Sequence, residues 1–147
     1  MNDHQEKPLL IIEDSDEDFT ALQRIIDKAQ IGNPVYRCED GEEALDFLFR
    51  QGEYEDQSLA PRPSLIILDL NLPGTDGREV LACLKQDENL QTIPVVIFST
   101  SSNDKDINAC YRHGISGYLV KPMSIKRLNK LVTNFLEYWF KTVELPH

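Results

Sequence analysis

Residues 65–77 read LIILDLNLPGTDG, and this stretch decides how the rest of the chain can fold. Four consecutive apolar residues lead into Asp69, and Pro73-Gly74 soon ends the run. A short apolar run between chain breakers is typical of a strand buried on both faces, as in a parallel sheet. In open α/β sheets, ligands bind outside the carboxyl ends of the strands. The stretch therefore predicts a central strand that carries a carboxylate, Asp69, to the edge where ligands bind.

Further short apolar runs alternate with segments whose apolar residues recur at helical spacing. Besides the central strand over residues 65–70, the predicted strands lie at residues 9–12, 35–38, 95–98 and 117–120, and a helix is predicted after each strand. Alternation of this kind is typical of a parallel sheet with helices on both faces. We therefore predict a single doubly wound (βα)5 domain of the α/β class. The strand order 2-1-3-4-5 is a known order for such sheets and is adopted as the expectation.

The predicted domain boundaries follow from where these patterns begin and end. The domain is placed over residues 8–141, with an N-terminal tail over residues 1–7 and a C-terminal tail over residues 142–147. One polar connection, over residues 52–64, is long for a compact domain and is predicted to be mobile.

Composition and charge exclude several functional classes. The chain has 147 residues and a formal net charge of −10, so its surface would repel a nucleic-acid backbone. Its apolar runs are too short for a transmembrane helix, and its first residues lack the apolar core of a secretory signal. Three widely spaced cysteines without such a signal indicate reduced thiols. We expect a cytoplasmic protein that binds neither nucleic acid nor a membrane.

Chemically active side chains stand at the ends of four predicted strands. They are Glu13 and Asp14 after the first strand, Asp69 after the apolar run of the third, Ser99 after the fourth and Lys121 after the fifth. If the first and third strands are neighbours, three carboxylates share one small cleft. Carboxylates this close raise one another's pKa unless a cation joins them. Oxygen ligands of this kind suit Mg²⁺, and Lys121 offers a second, fixed positive charge.

Such a cleft suits phosphoryl transfer. An ionised aspartate is a competent nucleophile toward phosphorus when metal and ammonium neutralise the phosphate charge. In this interpretation Asp69 attacks, Mg²⁺ bridges the carboxylates and the phosphoryl oxygens, and Lys121 holds another oxygen. The Ser99 hydroxyl can then donate a hydrogen bond to the acyl phosphate. The competing interpretation is that Asp69 is only a solvated carboxylate at a strand end.

The acidic run over residues 13–18 also has two interpretations. Acidic residues in the first turn of a helix interact favourably with the helix dipole. We assign Asp16 and Glu17 to this role, and we expect only Glu13 and Asp14 to face the cleft.

Four motifs at predicted strand ends carry a resemblance to a known family. They are Glu13-Asp14, the pattern Asp69-x-Asn71-x-Pro73-Gly74-x-Asp76-Gly77, Ser99, and Tyr118-x-x-Lys121-Pro122. Together they resemble the receiver domain of bacterial response regulators, the CheY-like fold, over roughly residues 8 to 140. Glu13 stands where many members have Asp, and Ser99 where many have Thr. Both substitutions keep the functional group.

The resemblance implies a phosphorylation site with a bound metal. It implies that a partner histidine kinase phosphorylates Asp69. It implies that Mg²⁺ is held by Asp14, Asp69 and the backbone carbonyl of Asn71, with Glu13 acting through water.

The resemblance also implies a switch. Ser99 would move toward the phosphoryl group while Tyr118 turns inward behind it, and the Lys121-Pro122 bond would be cis. A receiver catalyses its own phosphorylation and dephosphorylation but serves signalling, so we do not classify the protein as an enzyme. Output without a DNA-binding domain would pass through protein contacts.

A narrower resemblance concerns the loop and the tail. The polar loop over residues 52–64, the phrase LDLNLPGTDGREVL and the tail FLEYWFKTVELP are similar to Rcp-type response regulators paired with cyanobacterial phytochromes. This similarity implies that a red/far-red light-sensing kinase is the phosphoryl donor.

Aromatic residues crowd the end of the last predicted helix, namely Phe135, Tyr138, Trp139 and Phe140. They either pack within the domain or form a partner surface, since aromatic residues are favoured interface anchors. We predict a homodimer through the fourth helix, fifth strand and fifth helix.

Two other classes share parts of this pattern. A phosphatase of the haloacid-dehalogenase kind needs a second acid two residues after its nucleophile, where this chain has Asn71. A flavodoxin-like FMN binder needs a phosphate loop after the first strand, where this chain has the anionic run EDSDED.

Overall fold

The computed structural model describes residues 7–146, so most of the predicted N-terminal tail lies outside the described residues. Five strands and five α-helices alternate along the chain, as the sequence predicts. They are β1 (Leu9–Ile12), α1 (Asp16–Ala29), β2 (Val35–Cys38), α2 (Gly41–Phe49), β3 (Leu65–Leu68), α3 (Gly77–Gln86), β4 (Val95–Ser99), α4 (Asp104–Arg112), β5 (Gly117–Val120) and α5 (Ile125–Glu137). A 3₁₀ turn (Gly52–Tyr54) follows α2, and a π-helical turn (Tyr138–Thr142) continues α5.

The five strands form one parallel sheet in the order β2-β1-β3-β4-β5, which confirms the predicted fold class and strand order. β1 and β3 are neighbours, and Ile12 lies opposite Leu68. The Asp69 backbone N–H donates to the Ile12 carbonyl oxygen over 3.0 Å. This register brings the two acids that follow β1 to the same edge of the sheet as Asp69.

The apolar residues of the central strands divide between the two faces of the sheet. Successive side chains of a strand point to opposite faces, so Leu10 and Ile12 belong to one core cluster and Leu9 and Ile11 to the other. The first cluster packs against α2 and α3, and the second packs against α1 and α5. Burial of each such side chain stabilises the fold by about 1.5–3 kcal/mol. Within residues 7–146, no helix combines the length and the apolar character needed to cross a membrane.

The start of α3 lies against the end of β3. The Gly77 backbone N–H donates to the Leu70 carbonyl oxygen over 2.9 Å. A Cβ at Gly77 would overlap the Asp69 carbonyl oxygen and lie 2.7 Å from the Leu70 Cα. Glycine is therefore required sterically here, and the close approach holds the backbone that carries Asp69.

The connection over residues 52–64, predicted to be mobile, is tied to the body of the domain. The Arg50 Nε donates to the Ala60 carbonyl oxygen over 3.1 Å, and Arg62 donates to the Leu48 carbonyl oxygen over 3.2 Å. Ala60 and Ser64 are buried. Hydrogen bonds from arginine side chains to backbone carbonyls thus anchor a loop that has little regular secondary structure.

The C-terminal segment also packs onto the domain. Leu145 is buried in the same cluster as α1 and α5, and the Lys7 ammonium donates to its carbonyl oxygen over 3.2 Å. The predicted C-terminal tail is therefore in contact with the domain at Leu145.

Candidate functional site

Three carboxylates meet at the carboxyl edge of the sheet. One carboxylate oxygen from each of Glu13, Asp14 and Asp69 lies within 4.8 Å of the others. Glu13 and Asp69 are buried, whereas Asp14 is exposed. Three oxygen donors, one of them open to solvent, form a set that fits a hard divalent cation with bound water. The structure therefore brings together the three carboxylates that the sequence singled out.

Lys121 lies among these acids. Its backbone N–H donates to the Ser99 carbonyl oxygen over 2.7 Å, which fixes the end of β5 beside β4. Its ammonium donates to Glu13 Oε1 over 2.8 Å and to Asp69 Oδ2 over 3.0 Å. Burial by itself would lower the pKa of Lys121, but the hydrogen bonds that its ammonium donates to Asp18 and Glu13 raise the pKa above its ordinary value. The side chain thus provides a permanent positive charge at Asp69 Oδ2.

The Glu13 carboxyl shows the electrostatic cost of this cluster. Burial raises its pKa to about 7, and the charge of Asp69 adds to the rise, while Lys121 acts in the opposite direction. The Ser15 backbone N–H donates to Glu13 Oε2 over 3.2 Å. The protein therefore concentrates negative charge here beyond what one ammonium neutralises, which favours a second cation.

Asp18 belongs to the site, although the sequence analysis did not assign it there. Its carboxylate accepts a hydrogen bond from the Lys121 ammonium over 2.8 Å. Its backbone N–H donates to Ser15 Oγ, the N-cap of α1. The pattern S-x-x-D explains that cap, but nothing in the pattern signals that the side chain reaches Lys121. Asp16, by contrast, turns away and pairs with Arg37 at 2.8 Å.

Removing the Asp18 carboxylate tests whether it competes with Asp69 for the Lys121 ammonium. We expect Asp18→Asn to increase the rate of phosphorylation by acetyl phosphate about two- to fivefold, because a partly exposed ion pair of roughly 0.5–1 kcal/mol no longer restrains the ammonium. Asp16→Asn is the matched control, since it removes the same charge from the same helical turn without touching Lys121. Equal rate increases in the two variants would show a general charge effect and contradict the assignment.

Ser99 and Tyr118 lie beside one loop. Ser99 is fully buried, and its Oγ accepts a hydrogen bond from the Ser101 backbone N–H over 3.2 Å. The Tyr118 hydroxyl donates to the Ser101 carbonyl oxygen over 2.9 Å, and its ring packs against the core. Burial raises the pKa of Tyr118, so the phenol stays protonated and able to donate. Ser101 thus connects the two residues predicted to form the switch.

Asn71, two residues after Asp69, contacts the Asp69 carboxylate through its backbone. The Asn71 backbone N–H donates to Asp69 Oδ1 over 3.2 Å, and the Asn71 residue is exposed.

The Lys121-Pro122 bond is trans, so the expected cis bond is wrong for this structure. A trans X-Pro bond is the favoured isomer by a small margin, and Lys121 reaches all its carboxylate partners with it.

The predicted aromatic interface is only partly available to a partner. Phe135 is 7% exposed and lies in the core, because it occupies the face of α5 that packs on the sheet. Trp139 and Phe140 are partly buried against the same cluster. Tyr138 is 51% exposed, with its ring 5.2 Å from that of Trp139. The core position of Phe135 corrects its assignment to the interface.

Comparison with known proteins agrees with this geometry. The profile of the family described as "Response regulator receiver domain" matches residues 9–133. Response regulator Rcp1 from Synechocystis sp. is 43% identical over 148 residues, and the alignment covers 99% of each chain. The crystal structure of the Mn²⁺-bound form of Rcp1 superposes with a TM-score of 0.91 at 43% identity, covering 96% of this chain and 99% of that one.

A second solved structure is similar to the same extent. The phosphorylated cyanobacterial phytochrome response regulator RcpA superposes with a TM-score of 0.90 at 39% identity, covering 96% of this chain and 99% of that one. The family match, the parallel sheet and the acids at its carboxyl edge point the same way. The chain belongs to the response regulator receiver domain family and is homologous to response regulator Rcp1 and to the cyanobacterial phytochrome response regulator RcpA.

Proposed function

We propose that this receiver accepts a phosphoryl group on Asp69 from a phytochrome-type histidine kinase in a cytoplasmic phosphorelay, and passes the signal on through protein contacts. The observation that carries the proposal is the Asp69 carboxylate itself. It is buried, held by Lys121 at 3.0 Å, and grouped with the Glu13 and Asp14 carboxylates. All three cysteines are free thiols, in keeping with a reducing compartment.

In the proposed reaction, one Asp69 oxygen attacks the phosphorus of a phosphohistidine. A P–O bond forms as the P–N bond breaks, and the imidazole leaves with the bonding electron pair and takes up a proton. The Lys121 ammonium, already at Asp69 Oδ2, is placed to hold a phosphoryl oxygen.

A divalent cation fits beside these residues, and we propose that it is Mg²⁺. Glu13, Asp14, Asp69 and the Asn71 carbonyl would hold it, with Glu13 acting through water. When bound, it supplies positive charge that neutralises the phosphoryl oxygens. Rcp1, which is homologous, has been crystallised in a Mn²⁺-bound form, which supports a divalent metal here.

The proposed switch uses the contacts around Ser101. The Ser99 hydroxyl would donate a hydrogen bond to a phosphoryl oxygen. This movement would draw the hydroxyl away from the Ser101 backbone N–H, from which it accepts a hydrogen bond in this structure. The Ser101 carbonyl anchors the Tyr118 hydroxyl. A shift of this loop would therefore be felt at β5 and at α4, which follows the loop.

Phosphotransfer from purified kinases tests the proposed partner. Autophosphorylated phytochrome-type kinase should transfer its label to this chain within seconds to minutes, and an unrelated histidine kinase should do so much more slowly. The similarity to RcpA supports this choice of donor. Equal transfer from both kinases would contradict the phytochrome pairing while leaving Asp69 as the acceptor.

We also propose a homodimer through the face formed by α4, β5 and α5. On this face Tyr111 is 50% exposed and Val120 is 39% exposed, and Tyr138 extends it. Exposed aromatic and apolar side chains are suited to a two-fold interface, in which the same patch serves both subunits.

Sedimentation velocity checks the dimer. We expect dimers at high micromolar concentration and a shift toward monomer in Tyr111→Ser. Leu59→Ser is the control, because Leu59 is similarly exposed but lies on the connection after α2. A chain that stays monomeric with and without phosphorylation would refute the proposed dimer.

A further inference from the structure

A basic cavity lies at the opposite edge of the sheet from Asp69. It has a volume of about 600 Å³, within the range of small-molecule sites. Pro8 and Ser64, the residues that precede β1 and β3, form part of its wall. Five residue steps along β3 separate Ser64 from Asp69, which is about 16 Å at the rise of a strand. The cavity is therefore separate from the phosphorylation site.

The charge of this cavity opposes that of the whole chain. Lys7, Arg50 and Arg62 line it, and none of the described lining residues carries a carboxylate. The chain as a whole has 25 acidic against 15 basic residues. Three cations around one concavity therefore form a local positive field in an acidic protein, which attracts anions.

Arg50 and Arg62 are each anchored by one hydrogen bond, and both keep further N–H donors available. Each donates one N–H to a backbone carbonyl, Arg50 to Ala60 and Arg62 to Leu48. No other hydrogen bond of either guanidinium is found within the described part of the chain, which leaves each with further donors. Anchored guanidinium groups with free donors match the fork geometry that binds phosphate oxygens.

The electrostatics of the cavity favour an incoming anion. Partial desolvation of the guanidinium lowers the pKa of Arg62, and the nearby charge of Arg50 lowers it further, whereas Asp87 acts in the opposite direction. The Asp87 carboxylate is engaged by the backbone N–H groups of Asn89 and Leu90. The Asp56 carboxylate, next in sequence to the lining residue Gln57, accepts hydrogen bonds from the N–H and hydroxyl of Ser58. Arg50 and Arg62 therefore repel each other at the cavity wall, and a multivalent anion bound between them would relieve that repulsion.

We propose that this cavity binds a small multivalent oxyanion of the phosphate class, held by Arg50, Arg62 and Lys7. The connection over residues 52–64 supplies Arg62 and several polar lining groups. In this proposal the connection has a role beyond joining α2 to β3.

Pyrophosphate is the probe for this site. We would titrate it into the ¹⁵N-labelled full chain without divalent metal and follow the amide resonances. Saturable shifts should centre on Ser58, Ser64 and Asn89. Shifts centred on Asn71 and Ser101, or no saturation below about 10 mM, would overturn the proposal.

Matched variants locate the binding. Arg50→Gln with Arg62→Gln should weaken pyrophosphate binding at least tenfold. Lys126→Gln with Arg127→Gln, which removes the same charge from exposed positions on α5, should change it less than twofold. Equal weakening in both double variants would reduce the effect to net charge and overturn the site. If the first double variant does not fold, Arg62→Gln alone serves, because Arg62 is exposed.

Two further arms separate the ligand class and the phosphorylation site. Citrate should bind more weakly than pyrophosphate, and tighter citrate binding would overturn assignment to the phosphate class. Asp69→Asn should bind pyrophosphate as the natural chain does, and lost binding there would place the anion at the phosphorylation site instead.

Discussion

Asp69→Asn is expected to abolish incorporation of phosphate from acetyl phosphate or from a histidine kinase. The amide is a poor nucleophile toward phosphorus, so labelling should fall by at least about a hundredfold. Phosphate-affinity electrophoresis or radiolabel counting measures the effect. Asp104→Asn is the matched control, because Asp104 is an exposed acid in the first turn of α4 and should leave labelling unchanged.

The fold should persist in Asp69→Asn. Lys121 keeps Glu13 and Asp18 as partners, and one of the crowded negative charges is removed. A cooperative unfolding transition close to that of the natural chain would show that the loss of labelling is chemical. Label that remains on the folded variant would mean that another residue is the nucleophile.

Gly77→Ala should produce the largest loss of stability among the single substitutions considered for this chain. The added methyl would overlap the Asp69 carbonyl oxygen and contact Leu70, and both are backbone groups that cannot rotate away. Overpacking of this kind costs about 3 kcal/mol, and the better helix propensity of alanine offsets about 1 kcal/mol of it. The net loss of about 2 kcal/mol is measured as a lower urea midpoint at unchanged slope.

Gly117→Ala is the control for that substitution. Its Cβ would meet only ordinary van der Waals contacts with Val96, at 4.0 Å. We expect its unfolding free energy to stay within about 0.5 kcal/mol of the natural chain. If Gly77→Ala and Gly117→Ala had equal free energies of unfolding, the close packing of α3 on β3 would not be the reason for glycine at position 77.

The sequence predicted the fold well because the patterns behind it are local and repeated. The apolar run before Asp69 indicated a doubly buried strand, and β3 is buried along its whole length. Parallel strands place their carboxyl ends at one edge of the sheet, so the sequence was sufficient to group Glu13, Asp14 and Lys121 with Asp69. The grouping also required that the first and third strands be neighbours, which the sheet confirms.

The features that the sequence did not predict depend on how side chains turn in three dimensions. The Asp18 carboxylate accepts a hydrogen bond from Lys121, which lies 103 positions away in the sequence, and no spacing rule encodes such a contact. Phe135 is buried because of its position around α5, although the aromatic crowding of that helix suggested a surface. The anchoring of residues 52–64 rests on two arginines that bond to distant carbonyls. The chain's composition gave no sign of these bonds.

Mapping the acyl phosphate tests the central claim most directly. After phosphorylation, borohydride reduces an aspartyl phosphate to homoserine, and peptide sequencing by mass spectrometry then locates the altered residue. We predict homoserine at position 69 and at no other aspartate of the cluster. Homoserine at position 14 or 18, with Asp69 unchanged, would contradict the account.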